Sequence, residues 1–210
     1  CSGNNLTPEA LQGHLNQGAK KVLVSAPIKS KKVLNLVYGV NHTKYDRRHH
    51  NIVTASSCTT NCIAPVIMVL QEKFGIQRGQ ITTIHNPTNT NLVVDAIHHD
   101  PRRARSSLIN LIPTTTGSAR IIGNIFPELA GKLDGHAVRV PTLNSSLTDC
   151  VFSLKTKVSV DEVNKELDKY SKRSLKGILG VESAPLVSSD FVGDSRSCIV
   201  DLPSTLVTDN

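Results

Sequence analysis

The order of apolar runs along the chain predicts an α/β protein in two parts: the later portion of a parallel, doubly wound sheet, then an α+β unit whose mostly antiparallel sheet is backed by helices. Three observations carry this. The opening residues run helix, apolar strand, apolar strand, as a parallel sheet with both faces covered requires. The segment from Ile63 to Leu70 is apolar around most of its circumference and reads as a central, buried helix. Beyond it, β-branched and alternating runs are interleaved with amphipathic helical segments.

Thr7-Pro8-Glu9 opens the first helix, with Thr7 as cap and Pro8 at the first helical position, and Gly18 closes it. Lys21 to Ala26 reads as a buried strand stopped by Pro27, and Leu34 to Val40 as a second. A loop from Asn41 to Asn51 carries the cluster Arg47-Arg48-His49-His50. After the short apolar run Asn51 to Thr54, Ser57 is placed as an N-cap and Cys58 in the first turn of a helix that runs to about Phe74, where Gly75 stops it. Gln80 to Ile84 is a β-branched strand that delivers His85 at its end.

Asp100 to Ser107 is a short basic loop, and Ile112 to Ala119 places hydroxyls and a glycine before a helical segment ending near Phe126-Pro127. His136 to Pro141 is a strand with Arg139 inside an apolar frame. Leu147 to Val158 reads as a long strand, Asp161 to Tyr170 as an amphipathic helix opened by Asp161, and Leu186-Val187 and Ser197 to Asp201 as further short strands. There is no internal repeat and no low-complexity linker.

A chain of 210 residues with 39% hydrophobic content can bury a substantial core, as one large domain or two small ones. No apolar run is long enough to span a bilayer, and no secretory signal pattern opens the chain. Five widely scattered cysteines suit a reducing compartment better than a disulfide framework, which makes the cytoplasm the default location. The net charge of +7 fits either a nucleic-acid surface or sites for phosphorylated small molecules. Aromatic residues make up only 3% and tryptophan is absent, so stacking platforms for single strands are lacking and nucleic-acid binding is not expected as a primary role.

The chemistry gathers at a few side chains. At a helix start, free N–H groups and the positive dipole end favour an anion, so Cys58 should ionise more readily than a free cysteine and act as a nucleophile. Buried cysteine is the commoner case, and Cys62, one turn on, fits a packed structural thiol better than a redox partner. His85 has the ordinary pKa of a base near neutrality, although a histidine at a strand end is more often structural. The arginines of the 100–107 loop are either a solvated or subunit-facing cluster or a phosphate grip, and Arg139 needs a carboxylate or a bound anion. Thr114 to Gly117 form either a plain turn or an anion nest. No residue is assigned to a metal.

The run Ala55-Ser56-Ser57-Cys58-Thr59-Thr60-Asn61-Cys62 resembles the active-site signature of phosphorylating glyceraldehyde-3-phosphate dehydrogenases, including their erythrose-4-phosphate branch. The likeness continues in order through His85, the basic loop, Pro113 to Ala119 and Val138-Arg139-Val140-Pro141, over essentially the whole chain. It implies that residues 1–57 are the C-terminal part of a Rossmann-type dinucleotide-binding domain and residues 58–210 a catalytic domain. It also implies oxidation of a phosphorylated sugar aldehyde with NAD or NADP and inorganic phosphate, in a homo-oligomer, a tetramer by resemblance. The family's roles map Cys58 to nucleophile and His85 to base. Thr88, Arg103 and Arg139 would take the substrate phosphate, and Ser57, Thr59, Thr116 and Gly117 the inorganic phosphate. Ser25 aligns with a position near the cofactor.

No G-x-G-x-x-G follows a strand within the 210 residues, and relatives carry that fingerprint before the position matching Cys1 and continue past the position matching Asn210. The expectation is therefore a fragment, inactive alone. His85-Asn86-Pro87 departs from the family wording, as do Asn89-Thr90-Asn91 and the Arg47 to His50 cluster. These departures leave open a branch acting on erythrose 4-phosphate or using arsenate, and the choice between NAD and NADP. A contrasting expectation from the missing fingerprint is a catalytically silent fragment or homologue serving as an oligomeric binding or scaffold module.

Overall fold

A computed structural model describes residues 7–28, 30 and 32–209; the reading of Cys1-Ser2-Gly3 lies outside them. Helix α1 (Pro8–Asn16) starts as its sequence requires, with the Thr7 hydroxyl accepting from Ala10 N. Strands β1 (Val22–Val24), β2 (Leu34–Asn35) and β3 (Ile52–Thr54) form a parallel sheet in the order β1-β3-β2.

The second strand is far shorter than the Leu34 to Val40 run suggests. Asn41 is the reason: its Oδ1 accepts from Val37 N at 2.7 Å and its Nδ2 donates to Asn35 O at 2.9 Å, so a side chain takes the place of a neighbouring strand. Gly39, at φ +83, completes the turn.

Helix α2 (Cys58–Lys73) is capped by Ser57, whose hydroxyl accepts from Thr60 N. It ends at Phe74 before Gly75, whose φ of +68 is the left-handed stop expected of glycine. Ile63, Ala64, Ile67, Val69 and Leu70 are all buried, and the helix forms the axis of the main core despite Pro65 within it.

Strand β4 (Ile76–His85) starts four residues ahead of the predicted run. It sits inside a four-stranded sheet of order β5-β6-β4-β7, with β5 (Ile112–Thr115), β6 (Leu133–Arg139) and β7 (Ser146–Leu154). β4 runs parallel to β6 and antiparallel to β7, and β5 is antiparallel to β6. The threonines before α3 (Ser118–Ile125), read from sequence as a turn or a nest, thus belong partly to β5. That strand tolerates Pro113 because it is an edge.

β7 stops before Val158 because its partner β4 begins at Ile76, opposite Leu154; Lys155 N makes the last bond, to Gly75 O. Helix α4 (Val160–Ser171) opens one residue before Asp161, under a capping box in which Ser159 and Glu162 exchange hydrogen bonds. Leu186-Val187 is not a strand; Leu186 N turns back to Ala184 O ahead of a short 3-10 turn. The strand is instead β8 (Leu179–Glu182), parallel to β9 (Cys198–Asp201). Its Gly180 leaves room for the Arg196 guanidinium, which explains why the run does not look like a strand. The result is a parallel α/β opening followed by an α+β unit with one parallel and two antiparallel pairings in its main sheet.

Candidate active site

Two elements meet at the site. The start of α2 presents Cys58, exposed, and the end of β4 presents His85, half-buried. Their side chains approach to 3.4 Å between Cys58 Sγ and His85 Nε2. The other ring nitrogen, Nδ1, lies 2.7 Å from the Asn86 carbonyl oxygen. Nε2 is thus the ring nitrogen that faces the thiol.

The electrostatics follow from this contact. The hydrogen bond from His85 is the largest influence lowering the Cys58 thiol, with its charge and the backbone and side chain of Thr59 assisting; together they overcome burial and bring it to about 7. His85 is raised in return, chiefly by Cys58, against burial and the nearby Arg139 charge. At neutral pH a large share of Cys58 is therefore thiolate, and His85 is shifted toward its charged form.

Parallel pairing of β4 with β6 sets Arg139 directly opposite His85. Its Nη1 lies 2.7 Å from His85 Nδ1 and donates to the Asn86 carbonyl at 3.1 Å, while its buried Nε has no partner among the described residues. Burial and the charge of Arg103 both disfavour the charged form of Arg139, with no carboxylate among the influences on it. Arg103 is held from the far side, with Nη1 donating to Thr90 Oγ1 at 2.5 Å and Nε 3.3 Å from Asp100. Thr90 in turn shares a hydrogen bond with Thr88 at 3.2 Å. Thr88, Arg103 and Arg139 are thus gathered into one cationic cluster. An anion set between the guanidiniums would relieve their repulsion.

On the other flank the starts of α2 and α3 converge. Ser57 Oγ lies 3.2 Å from Ser118 Oγ, and Thr116 Oγ1 donates to Ser118 Oγ at 3.1 Å. Gly117 is exposed with open space where a Cβ would stand, whereas Thr59 is buried. Ser57, Thr116 and Gly117 thus share one hydroxyl-lined corner where two positive helix ends meet, with Thr59 beneath it. Ser25 is exposed just past the end of β1, where Val24 O accepts from Ala55 N on the approach to Cys58.

Sequence reasoning missed Ser118, Thr90, Asp100 and the Asn86 carbonyl. Ser118 sits inside the quoted hydroxyl run, and Thr90 and Asp100 lie two and three residues from Thr88 and Arg103, but side-chain direction is settled only by the folded loops. The Asn86 carbonyl left no signal, being backbone.

A thiol and imidazole sharing a proton, beside a cationic cluster in which no carboxylate among the described residues pairs with Arg139, has the make-up of a covalent thiol site for an anionic carbonyl compound. Comparison with known proteins narrows that class. The family model described as "Glyceraldehyde 3-phosphate dehydrogenase, C-terminal domain" matches residues 57–210. Glyceraldehyde-3-phosphate dehydrogenase 3 of Nostoc sp. (strain PCC 7120) is 53% identical over 210 residues, covering 100% of this chain and 62% of the relative. The glyceraldehyde-3-phosphate dehydrogenase of Priestia megaterium and glyceraldehyde-3-phosphate dehydrogenase 1 of Bacillus subtilis are each 48% identical over 194 residues, 92% of this chain and 58% of theirs. The chain belongs to the glyceraldehyde-3-phosphate dehydrogenase family, and it spans about three fifths of the length of these relatives.

Proposed function

We propose that this chain carries the catalytic machinery of a dehydrogenase that converts glyceraldehyde 3-phosphate and inorganic phosphate to 1,3-bisphosphoglycerate through a thioester on Cys58. The observation that carries the reading is the Cys58–His85 contact of 3.4 Å with Arg139 opposite His85 in the sheet. The Cys58 thiolate attacks the aldehyde carbon to give a thiohemiacetal, and His85 takes the hydroxyl proton as that carbon becomes the thioester carbonyl. Arg103, Arg139 and Thr88 hold the substrate phosphate. Ser57, Thr59, Thr116 and Gly117 hold the inorganic phosphate that releases the acyl group.

NAD or NADP supplies the hydride acceptor when bound. Its phosphates need a glycine-rich turn between strand and helix, and none lies within these 210 residues, so the residues present do not by themselves make its site. The reading assigns residues 1–57, with Ser25, to the cofactor side and 58–210 to catalysis, in a homo-oligomer. Free thiols at Cys58, Cys62, Cys150 and Cys198 fit the reducing cytoplasm. Among the described residues no helix is long and apolar enough to cross a membrane.

The test runs the acyl half-reaction, which needs no cofactor. The chain is incubated with 1,3-bisphosphoglycerate, and intact mass and peptide mapping are read after a short interval. A phosphoglyceroyl adduct on Cys58, absent in Cys58→Ser, is expected; an unmodified chain or an adduct on Cys62 would refute the assignment.

A further inference from the structure

Three further thiols lie on the buried side of Cys58. Cys62 is one turn along α2, Cys198 sits on β9, and Cys150 on β7 opposite Ile81. Helix α2 contacts both of those strands, and Cys62 and Cys150 pack against the core cluster that contains Cys198, itself 5% exposed. All are free thiols. Cys62 and Cys198 hydrogen-bond to each other through their sulfurs, which draws the Cys62 thiol down and pushes the Cys198 thiol up. Cys150 makes no such bond with either, and burial raises its thiol to about 12.

Exposure falls from Cys58 through the half-buried Cys62 to the buried Cys198. Residues four apart on a helix have Cα atoms about 6 Å apart, within the span a disulfide bridges. Cys58 is exposed and stabilised as a thiolate, the kind of cysteine that reacts first with an oxidant, and it has a neighbour able to resolve it.

We propose that Cys58, Cys62 and Cys198 form a thiol relay in which an oxidising equivalent taken from a hydroperoxide at Cys58 ends as a Cys62–Cys198 disulfide between α2 and β9, leaving Cys58 a free thiol again. The proposal rests on Cys58 being the activated nucleophile. In the first step the Cys58 thiolate attacks the peroxide; the O–O bond breaks, an S–O bond forms, and water or an alcohol leaves after protonation. Sulfur is oxidised by two electrons to sulfenic acid, and the peroxide is reduced. The Cys62 thiolate then attacks that sulfur, forming Cys58–Cys62 and expelling hydroxide, which takes up a proton as water. Finally Cys198 loses its proton to solvent as its sulfur attacks Cys62 Sγ, forming Cys62–Cys198 and expelling the Cys58 thiolate. His85 stabilises that leaving thiolate, which gives the last step its direction. The sum is one hydroperoxide and two thiols giving one disulfide and two molecules of water, or water and an alcohol.

The experiment treats the chain with one equivalent of hydrogen peroxide, quenches with an alkylating agent at set times, and maps peptides without reduction. Cys58 labelling should fall and then recover to at least half its starting level as a Cys62–Cys198 cross-linked peptide accumulates, with Cys150 alkylated after denaturation throughout. In Cys198→Ala the loss of Cys58 labelling should persist, with Cys58–Cys62 as the end product. The wild-type map decides the matter even where that variant does not fold. A final Cys58–Cys62 or Cys62–Cys150 bridge, or sulfinic acid on Cys58 with Cys62 and Cys198 still free, overturns the relay. No reaction of Cys58 with peroxide would instead overturn the activated nucleophile on which it rests.

Discussion

Replacing His85 by Asn removes the group with the largest influence on Cys58 and should move its ionisation upward from about 7, toward the unperturbed value of 9.0. At pH 7 a thiol of pKa 7 is about half ionised, and one of pKa 9 about 1% ionised, a loss of about 50-fold in thiolate. The more basic thiolate is also the better nucleophile. With a Brønsted slope of about 0.45, two units return a factor of about 8. Alkylation at pH 7 should therefore slow by up to about 6-fold rather than 50-fold, while above pH 9 the variant should overtake the wild type. The remaining helix start and Thr59 oppose the shift, and burial favours it. The assay is the rate of iodoacetamide labelling across pH 5 to 10, with peptide mapping of the labelled cysteine. A midpoint near 7 in the variant would show that His85 is not what activates Cys58, and dominant labelling of Cys62 would show that the wrong thiol was assigned.

Three other outcomes follow from local structure. Ser57→Ala removes the hydroxyl that caps α2 and should cost about 1 kcal/mol, read from the urea midpoint. Gly75→Ala puts a side chain at φ +68, with its Cβ 2.9 Å from Lys155 Cδ, and should cost about 1 kcal/mol or more by the same measurement; no change would mean the α2 terminus relaxes freely. Asp194 is held at about 2 by hydrogen bonds from the Arg196 side chain and backbone, below its ordinary 3.8. Because the folded value is the lower one, its stabilisation is present above pH 3.8 and fades as pH falls through about 2. Asp194→Asn should flatten the decline in melting temperature over that interval, and an unchanged slope would contradict it.

How much of this was legible in the sequence depended on whether the deciding partner was local. The caps at Thr7 and Ser57 and the stop at Gly75 are written within four residues of the helix ends they control, and they stand where the sequence places them. Strand lengths depend on partners far along the chain: Asn41 ends β2, and the Arg196 guanidinium explains the glycine in β8. The same holds in the site. Cys58 and His85 are readable as reactive residue types at element ends, but they meet only because α2 crosses the end of β4. The supports given by Thr90 to Arg103 and by the Asn86 carbonyl to His85 depend on loop shape, which no periodicity encodes.

The central claim, that a cationic cluster reads a phosphate while Cys58 does the chemistry, is tested most directly by acylation of Cys58 with two donors, 1,3-bisphosphoglycerate and acetyl phosphate. Arg139→Ala also disturbs His85, which Nη1 touches at 2.7 Å, so both donors will slow to some degree. Loss of a charge-assisted anchor of about 1.5–3 kcal/mol should slow 1,3-bisphosphoglycerate, which alone carries a phosphate remote from the acyl carbon, by a further factor of about 10 to 150. Arg103→Ala, which does not touch His85 among the described contacts, should slow that donor alone. Equal slowing of both donors in both variants would contradict the claim and leave these arginines as supports of the fold.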